Sequence, residues 1–157
     1  MGFADDGPNF LSGAGTTYSV GYQRNIWKER LRYSPQISFG IYTSKGTNDV
    51  PEEYFNSINL HNNLYFDLLK YKAFSIVIAG GFFLNTNRGL KGTGGDPGRR
   101  YSEYFIEYNF GGFGGTGFRI NPKIKRLAFD FMLLNINIAS SGFTESGIKI
   151  SLDYKLK

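Results

Sequence analysis

Apolar and polar residues alternate along the last stretch of the chain, from Gly147 to Lys157. The apolar positions are Ile148, Ile150, Leu152, Tyr154 and Leu156. A period of two residues is typical of a β-strand with one apolar and one polar face, whereas a helix would scatter these residues around its circumference. The stretch covers about ten residues, longer than an ordinary strand of ~5–6. Because a strand needs roughly 9–11 residues to cross a membrane, the pattern predicts a strand of membrane-spanning length.

The same alternation recurs in six earlier stretches, and the sequence therefore predicts an up-and-down meander of seven visible strands. In 127–138 the apolar positions change from odd to even numbers, which predicts a β-bulge. The fifth strand either runs through the glycine-rich segment 111–117 or breaks there into two. The predicted connections alternate between short ones, near 25–30, 69–72 and 121–126, and long ones, near 44–53, 86–100 and 140–146. The predicted strands cover residues 16–23, 31–43, 54–68, 73–85, 101–120, 127–138 and 147–157.

The beginning of the chain shows little alternation and carries many turn residues. We interpret residues 1–15 as an N-terminal loop or the remnant of a first strand, and residues 16–157 as one β-barrel domain. Because closed barrels of this type normally have an even number of strands, we expect an eighth strand that is missing, shortened into residues 3–12, or lost with a removed N-terminus. No basic segment followed by an apolar run opens the chain, so any signal peptide has been removed or was never there.

Composition supports the all-β class. The 157 residues include 21 Gly, 15 Phe and 11 Tyr, residue types that suit pleated surfaces, tight turns and crowded positions. The absence of cysteine excludes disulfides, thiolate metal sites and cysteine nucleophiles. No run approaches the ~18 apolar residues of a membrane helix, but a membrane barrel gives a much weaker signal per strand and is not excluded.

The direction of the apolar face separates a soluble, lipocalin-like barrel from a membrane barrel. Eight strands leave an interior that side chains or one small ligand fill. The apolar face carries roughly thirty large residues, more than such an interior holds, while the other face is rich in Gly, Ser, Ala, Asn and Thr. We therefore predict that the large apolar side chains point to lipid. Tyrosines near strand ends would form interfacial girdles; these are Tyr18, Tyr22, Tyr33, Tyr42, Tyr54, Tyr101, Tyr104 and Tyr154.

The long alternating strands, the alternating turn lengths and the C-terminal pattern of Gly147, Leu152, Tyr154 and Leu156 resemble the small outer-membrane barrels of the OmpA/OmpX type. The resemblance covers residues 16–157 and extends particularly to the porin-like barrel domains of Bacteroidetes-type bacteria. The ending is similar to the signal read by the barrel-assembly machinery, although it closes on Leu156 and Lys157 instead of an aromatic residue. The resemblance implies a location in the bacterial outer membrane. It also implies outer-membrane lipid and other outer-membrane or periplasmic proteins as partners.

Charged residues on the polar faces predict an ion-pair network in the interior, because a charge in a narrow lumen is costly unless it is paired. Glu103 and Glu107 share a face, and a pair of carboxylates could instead perform acid–base chemistry. An interior network would also argue against a wide channel. The candidate members of the network are Arg32, Glu103, Glu107, Arg119, Asp130, Lys149 and Asp153.

His61, the only histidine, lies on a polar face between two asparagines. Ser57 lies on the same face, but roughly 13 Å away along an extended strand, too far for a nucleophile–base pair. We therefore interpret His61 as a hydrogen-bonded interior residue. No catalytic, metal-binding or cofactor-binding residue and no cofactor are predicted.

Two remaining features have structural explanations. The glycine-rich segment 111–117 lacks the Gly-Lys-Ser/Thr and the helix of a phosphate-binding loop, so strand curvature or close packing is favoured. The net charge of +5 does not predict nucleic-acid binding, because the basic residues cluster at the short turns. Such a cluster suits anionic lipid headgroups or an acidic partner, although solvated turn charges are the commonest explanation. These basic residues are Lys28, Arg30, Lys70, Lys72, Lys123, Lys125, Arg126 and Lys157.

Together these patterns predict an all-β, up-and-down antiparallel transmembrane β-barrel of about eight strands, with no enzymatic activity. The favoured role is structural, anchoring or protein-interacting: a filled barrel that presents the loops 44–53, 86–100 and 140–146, or docks to a larger membrane assembly. The alternatives are a narrow channel or small-solute porin and, less favoured, a lipid-modifying barrel enzyme.

Overall fold

A computed structural model of the chain consists of β-strands and turns, and describes residues 2–6, 11–28, 30–44, 53–96, 99–121 and 127–154. Within these ranges no helix is long and apolar enough to cross a membrane. The strands are β1 (Gly2–Asp6), β2 (Leu11–Gly21), β3 (Arg24–Trp27), β4 (Leu31–Ser44), β5 (Glu53–Tyr71), β6 (Phe74–Asp96), β7 (Arg99–Ile120), β8 (Leu127–Ala139) and β9 (Phe143–Tyr154).

All nine segments belong to one antiparallel sheet with the order β2-β1-β9-β8-β7-β6-β5-β4-β3. The consecutive segments β2 and β3 both pair with β4, so they act as one interrupted strand, and eight strands run up and down in the sheet. Strand β2, at one end of this order, pairs with β1 from Gly2↔Gly15 to Asp6↔Leu11. Its other edge pairs with β4, near the opposite end of the order.

The sheet is strongly curved. Arg32 on β4 and Asp130 on β8 are separated by four strand spacings in the sheet order, which in a flat sheet would amount to about 19 Å. Their side chains nevertheless approach to 3.3 Å. Curvature of this degree gives the sheet a buried face and an exposed face.

The two faces carry different side chains, as the alternation predicted. Large apolar residues such as Ile37, Leu60 and Leu84 lie on the exposed face, with 56%, 45% and 56% of their surface accessible. The buried face carries serine, asparagine and charged residues together with a cluster of aromatic side chains that includes Phe55 and Phe113. The larger residues that interrupt the polar pattern of β6, Val77 and Phe83, are both 1% exposed and pack in the interior.

Two predicted loops are mostly strand, which corrects the sequence interpretation. Strand β6 continues to Asp96 and β7 begins at Arg99, so 86–100 is largely paired. In this segment glycine permits close packing between strands instead of forming a turn. A Cβ on Gly89 would lie 2.2 Å from the Tyr54 carbonyl oxygen. In the predicted loop 140–146, the turn is short and β9 already begins at Phe143. Residues 45–52 and 122–126, from two other predicted connections, lie outside the described residues.

The N-terminal segment contains the eighth strand. β1 pairs with β9 on one side and with β2 on the other, in agreement with a first strand shortened to a few residues. Strand β2 begins at Leu11 and not at residue 16, because the run of small residues from Ser12 to Gly15 pairs with β1 on one edge.

The structure decides two questions that the sequence raised about β7 and β8. β7 runs unbroken through its glycines from Arg99 to Ile120, so the alternative of two separate strands is not realised. The predicted bulge in β8 is present, since its register with β9 shifts between Met132 and Asn135.

The glycines of β7 allow a matched pair of substitutions. A Cβ at Gly117 would lie 2.0 Å from the Phe131 carbonyl oxygen, whereas one at Gly114 would meet nothing within 4 Å. We expect Gly117→Ala to lower the free energy of unfolding by about 1–3 kcal/mol through overpacking. Gly114→Ala should be neutral or stabilise by about 0.4–1 kcal/mol. Urea unfolding of both variants measures the difference, and equal effects would contradict the close packing at Gly117.

Candidate functional site in the polar interior

Four charged side chains meet on the buried face, near the start of β4 and β8 and the end of β5 and β7. One guanidinium nitrogen of Arg32 lies 2.7 Å from Asp67 Oδ1, and the other lies 3.3 Å from Asp130 Oδ2. Arg119 approaches the same Asp130 oxygen at 2.8 Å. The four side chains are only 2–3% exposed. We call Arg32, Asp67, Arg119 and Asp130 the ion cluster.

Polar and aromatic groups complete the surroundings of the ion cluster. Arg119 also donates to Gln23 Oε1 at 3.0 Å and to Asn121 Oδ1 at 3.1 Å. The guanidinium of Arg32 lies over the ring of Tyr65, 5.3 Å from its centroid. Because two arginines face two aspartates, the cluster is formally neutral, as a buried group of charges needs to be.

The ion cluster contains three residues of the predicted network, Arg32, Arg119 and Asp130, and one that the sequence analysis did not select. That residue is Asp67, which lies on the predicted polar face of β5. The sequence did contain a signal for Asp67, because it is an acidic residue on the polar face, close to the short turn that follows β5. Its backbone N–H donates to the Arg30 carbonyl at 2.9 Å, which places it beside the start of β4.

The other predicted members of the ion-pair network lie outside the ion cluster. Glu103 is exposed on β7, opposite Lys91 of β6, and Glu107 is half-buried opposite Asn87. Lys149 is half-buried on β9, and its ammonium donates to Gln36 Oε1. The backbone of Asp153 pairs with Ala128, while its side chain lies outside the described part of the structure.

A second polar centre surrounds Glu145, which is 5% exposed on β9. The Tyr42 hydroxyl and the Thr17 hydroxyl, the latter at 3.0 Å, both donate to Oε1. Asn137 Nδ2 donates to Oε2 at 3.0 Å. The surrounding groups are thus neutral donors, and hydrogen bonds from several donors stabilise a buried carboxylate. Sequence reasoning missed Glu145 because it falls in the predicted loop 140–146, although its odd number continues the polar positions of β9.

An amide network links β5, β6 and β7 next to Glu145. Asn85 Nδ2 donates to Asn59 Oδ1 at 2.6 Å and to Ser57 Oγ at 2.8 Å. Asn109 Nδ2 in turn donates to Asn85 Oδ1 at 3.1 Å. Since these side chains are 6% exposed or less, their bonds replace those that water would make.

His61 lies between the two polar centres. Its Nε2 is 3.1 Å from Ser38 Oγ, and its ring lies 5.6 Å from that of Phe83 and 6.1 Å from that of Phe113. Ser57 bonds to the amide network instead, as expected from its distance along the strand. Among the residues that the structure describes, none accepts or donates a hydrogen bond at His61 Nδ1. A cavity of about 440 Å³ adjoins His61.

The surface residues singled out from the sequence divide into two groups. Tyr18, Tyr22, Tyr54, Tyr101 and Tyr104 are exposed, Tyr33 is half-buried, and the side chain of Tyr154 lies outside the described part of the structure. Tyr42 is a correction: its register partner on the buried face is Phe55, on which its ring stacks at 5.0 Å, and its hydroxyl reaches Glu145. The basic residues Lys28, Arg30, Lys70 and Lys72 are exposed, whereas Lys123, Lys125, Arg126 and Lys157 lie outside the described residues.

No model of a known protein family matches this chain, and no curated protein matches its sequence. Within the described ranges, no three histidine or acidic side chains are grouped as metal ligands would be. The interior is a buried, hydrogen-bonded and ion-paired filling of a curved sheet.

Proposed function

We propose that this chain is a closed β-barrel of a bacterial outer membrane, with a filled lumen and a structural, anchoring or protein-interaction role. One observation carries the proposal: a single sheet exposes most of its large apolar side chains and buries the ion cluster and the amide network on its other face. Ile37, Leu84 and Phe110 are 56–66% exposed, and in the described ranges no second layer of structure covers their face. A contiguous apolar surface of this kind is rare on soluble monomers and normal against lipid.

Closure of the barrel is supported by the two pairings of β2. Its edges meet β1 and β4, and β1 meets β9, so the strand order can return to its beginning. In a bilayer, a sheet is stable only when its backbone groups are paired within the protein, which favours closure.

The filling of the lumen favours a structural role over a channel. The ion cluster joins β4 and β5 to β7 and β8, and the contacts of Glu145 join β9 to β2 and β4. Between them lie His61, Phe83 and Phe113. Ions would have to displace paired charges and packed rings, so we propose a barrel that does not conduct.

The interaction role is supported by a projecting hairpin, formed by the end of β6 and the start of β7. β8 accompanies β7 only from Gly111 to Ile120, and β5 accompanies β6 only up to Leu90. The exposed residues Tyr101 and Tyr104 lie on this projection. In our proposal this paired hairpin, and not a flexible loop 86–100, is the part presented to a partner.

Planar-bilayer recording tests the filled lumen. We expect no steady conductance steps from the reconstituted protein, because the ion cluster and the rings obstruct the lumen. Insertion is verified in the same preparation by heat-modifiable electrophoretic mobility and resistance to protease. Steady open-channel steps from inserted protein would favour the narrow channel or porin. A monomer that folds in buffer without detergent would contradict the membrane location itself.

The contact between Ser38 and His61 favours a second candidate, a lipid-modifying barrel enzyme. At 3.1 Å, His61 could act as the base for a serine nucleophile. However, within the described residues no third group orients the ring through Nδ1. Phospholipid hydrolysis by the purified barrel, lost in both Ser38→Ala and His61→Ala, would replace the structural role by this one.

A further inference from the structure

One end of the sheet carries a group of exposed basic side chains. This end includes the turn from β3 to β4 and the turn from β5 to β6, and the ion cluster lies in the interior at the same end. Among the side chains that the structure describes there, every exposed charge is positive. We call this end the basic end, and define it by Arg24, Lys28, Arg30, Lys70 and Lys72.

The positive charge of the basic end exceeds what the acidic residues near it balance. The two aspartates of the ion cluster are buried and face Arg32 and Arg119. The side chains of Glu29 and Asp153 lie outside the described residues, and they would offset at most two of the five exposed charges. The basic end is therefore a surface that attracts anions.

An exposed aromatic ring ends the strand before each of the two turns. Trp27 is the last residue of β3 and Tyr71 the last of β5, and their side chains are 52% and 70% exposed. Tyr71 pairs with Phe74, which lies on the exposed face. Trp27 pairs with Leu31, whose neighbour Arg32 points into the interior. Because successive side chains of a strand point to opposite faces, both rings belong to the exposed, apolar face.

In both turns the next residue is a lysine that folds back over the ring. The ammonium of Lys28 lies 5.4 Å from the ring centroid of Trp27, and that of Lys72 lies 5.2 Å from the ring centroid of Tyr71. The two lysines have φ angles of 41° and 52°, a left-handed conformation that residues other than glycine adopt rarely. Each turn thus holds a cation over an exposed ring.

We propose that the basic end binds the phosphate headgroups of anionic phospholipids in the leaflet that surrounds it. The proposal rests on the membrane location proposed above. Tryptophan and tyrosine rings favour the boundary between hydrocarbon and headgroups, and lysine and arginine near that boundary attract anionic lipids. Since the rings of Trp27 and Tyr71 lie on the lipid-facing side, the ammonium groups above them are at the depth of the phosphates.

The apolar surroundings favour a lipid over an acidic protein as the partner. Next to the two rings lie Ile26 and Leu69, which are 56% and 66% exposed. A phospholipid offers an acyl chain to these side chains and a phosphate to the lysines at the same time. An acidic protein surface would balance the charges but would leave the apolar side chains in water, which is unfavourable.

Trp27 is the only tryptophan of the chain, so its fluorescence reports on the lipid beside the basic end. The protein is placed in phosphatidylcholine nanodiscs with a minor fraction of brominated phosphatidylglycerol or brominated phosphatidylcholine. Bromine quenches tryptophan at short range. At equal mole fraction and low salt, we expect the phosphatidylglycerol to quench at least about threefold more, because each nearby cation attracts anionic lipid. High salt should reduce this preference.

Two double variants test whether the lysines cause the preference. Lys28→Asn/Lys72→Asn removes both ammonium groups, and asparagine tolerates the left-handed conformation. We expect the preference to fall to within about 1.5-fold in this variant. The matched control is Arg88→Gln/Lys91→Gln, which removes two positive charges from β6 far from the two turns and should keep the preference of the unaltered protein.

Two results of the quenching experiment would overturn the proposal. Equal quenching of the unaltered protein by the two brominated lipids would mean that the basic end does not select a headgroup. An equal loss of preference in the two double variants would mean that the net charge of +5, and not this end, attracts the lipid.

Acetylation of the lysines separates a lipid from an acidic protein. Phosphatidylglycerol in the nanodisc should protect Lys28 and Lys72 from a water-soluble acetylating reagent. If a polyglutamate peptide protects them in phosphatidylcholine nanodiscs and phosphatidylglycerol does not, the basic end binds an acidic protein and the proposal is wrong. Quenching by brominated phosphatidylcholine is a separate measurement. Its absence from folded protein would place Trp27 outside lipid and count against the proposed function first.

Discussion

Replacement of Asp130 by alanine should lower the free energy of unfolding by about 3–5 kcal/mol, the largest effect expected in this chain. Asp130 Oδ2 accepts from both Arg32 and Arg119, so its removal leaves two buried guanidinium groups with one carboxylate. The measurement is urea unfolding in lipid vesicles. The control is Glu103→Ala, which removes an exposed carboxylate on β7 and should change the free energy by at most ~0.5 kcal/mol.

A charge-balanced pair of substitutions separates two contributions to the free energy of unfolding: the cost of an unpaired buried charge and the stabilisation by the ion cluster itself. Asp67→Leu alone removes the 2.7 Å contact of Arg32 to a carboxylate and keeps its longer 3.3 Å contact to Asp130. The double variant Arg32→Leu/Asp67→Leu removes one charge of each sign and leaves the 2.8 Å pair of Arg119 and Asp130 intact. We expect the double variant to be more stable than the single one. A double variant that is less stable than Asp67→Leu would mean that the ion pairs themselves hold the strands together.

The second large effect concerns the exposed face. Leu60 lies midway along β5 between Ile37 and Leu84, which flank it across the sheet and are equally apolar. If this face contacts lipid, Leu60→Arg should cost about 2–4 kcal/mol, the cost of arginine near the bilayer midplane. An exposed leucine of a soluble protein would give a change within ~0.5 kcal/mol.

A matched variant controls for the arginine itself. Leu69, near the turn between β5 and β6, is 66% exposed, against 45% for Leu60. In the proposed membrane location, Leu69→Arg should cost only about 0–1 kcal/mol, because residue 69 would lie toward the interface. The comparison is made by urea unfolding in vesicles of one lipid composition. Equal small effects at both positions would rule out the lipid-facing assignment, whatever the shape of the sheet.

The projecting hairpin changes what the sequence suggested about partner contacts. Glycines from Gly89 to Gly95 were interpreted as a loop, since glycine is frequent in turns. Residues 89–92 instead pair with β7, and Gly89 approaches the β5 backbone too closely for a side chain. Glycine is suited both to turns and to closely packed strands, and only the register of the neighbouring strands distinguishes the two cases.

By itself, the sequence determined the all-β class, the division between the two faces and the bulge in β8. These features depend on a period of two residues, which is local and can be read from neighbouring positions. Val77 and Phe83 occupy polar-face positions in the alternation of β6, and both accordingly lie in the interior. The alternation also identified Arg32, Arg119 and Asp130 as residues of the buried face.

Only the tertiary structure decided which of these residues meet. Thr17 and Glu145 share a hydrogen bond although 128 positions separate them, and Arg32 reaches Asp130 across 98. Such contacts depend on the curvature of the sheet and on the sum of several strand registers, in which one residue of shift exchanges the faces. For the same reason Asp67 and the surroundings of Glu145 became visible only when the strands that carry them were placed side by side.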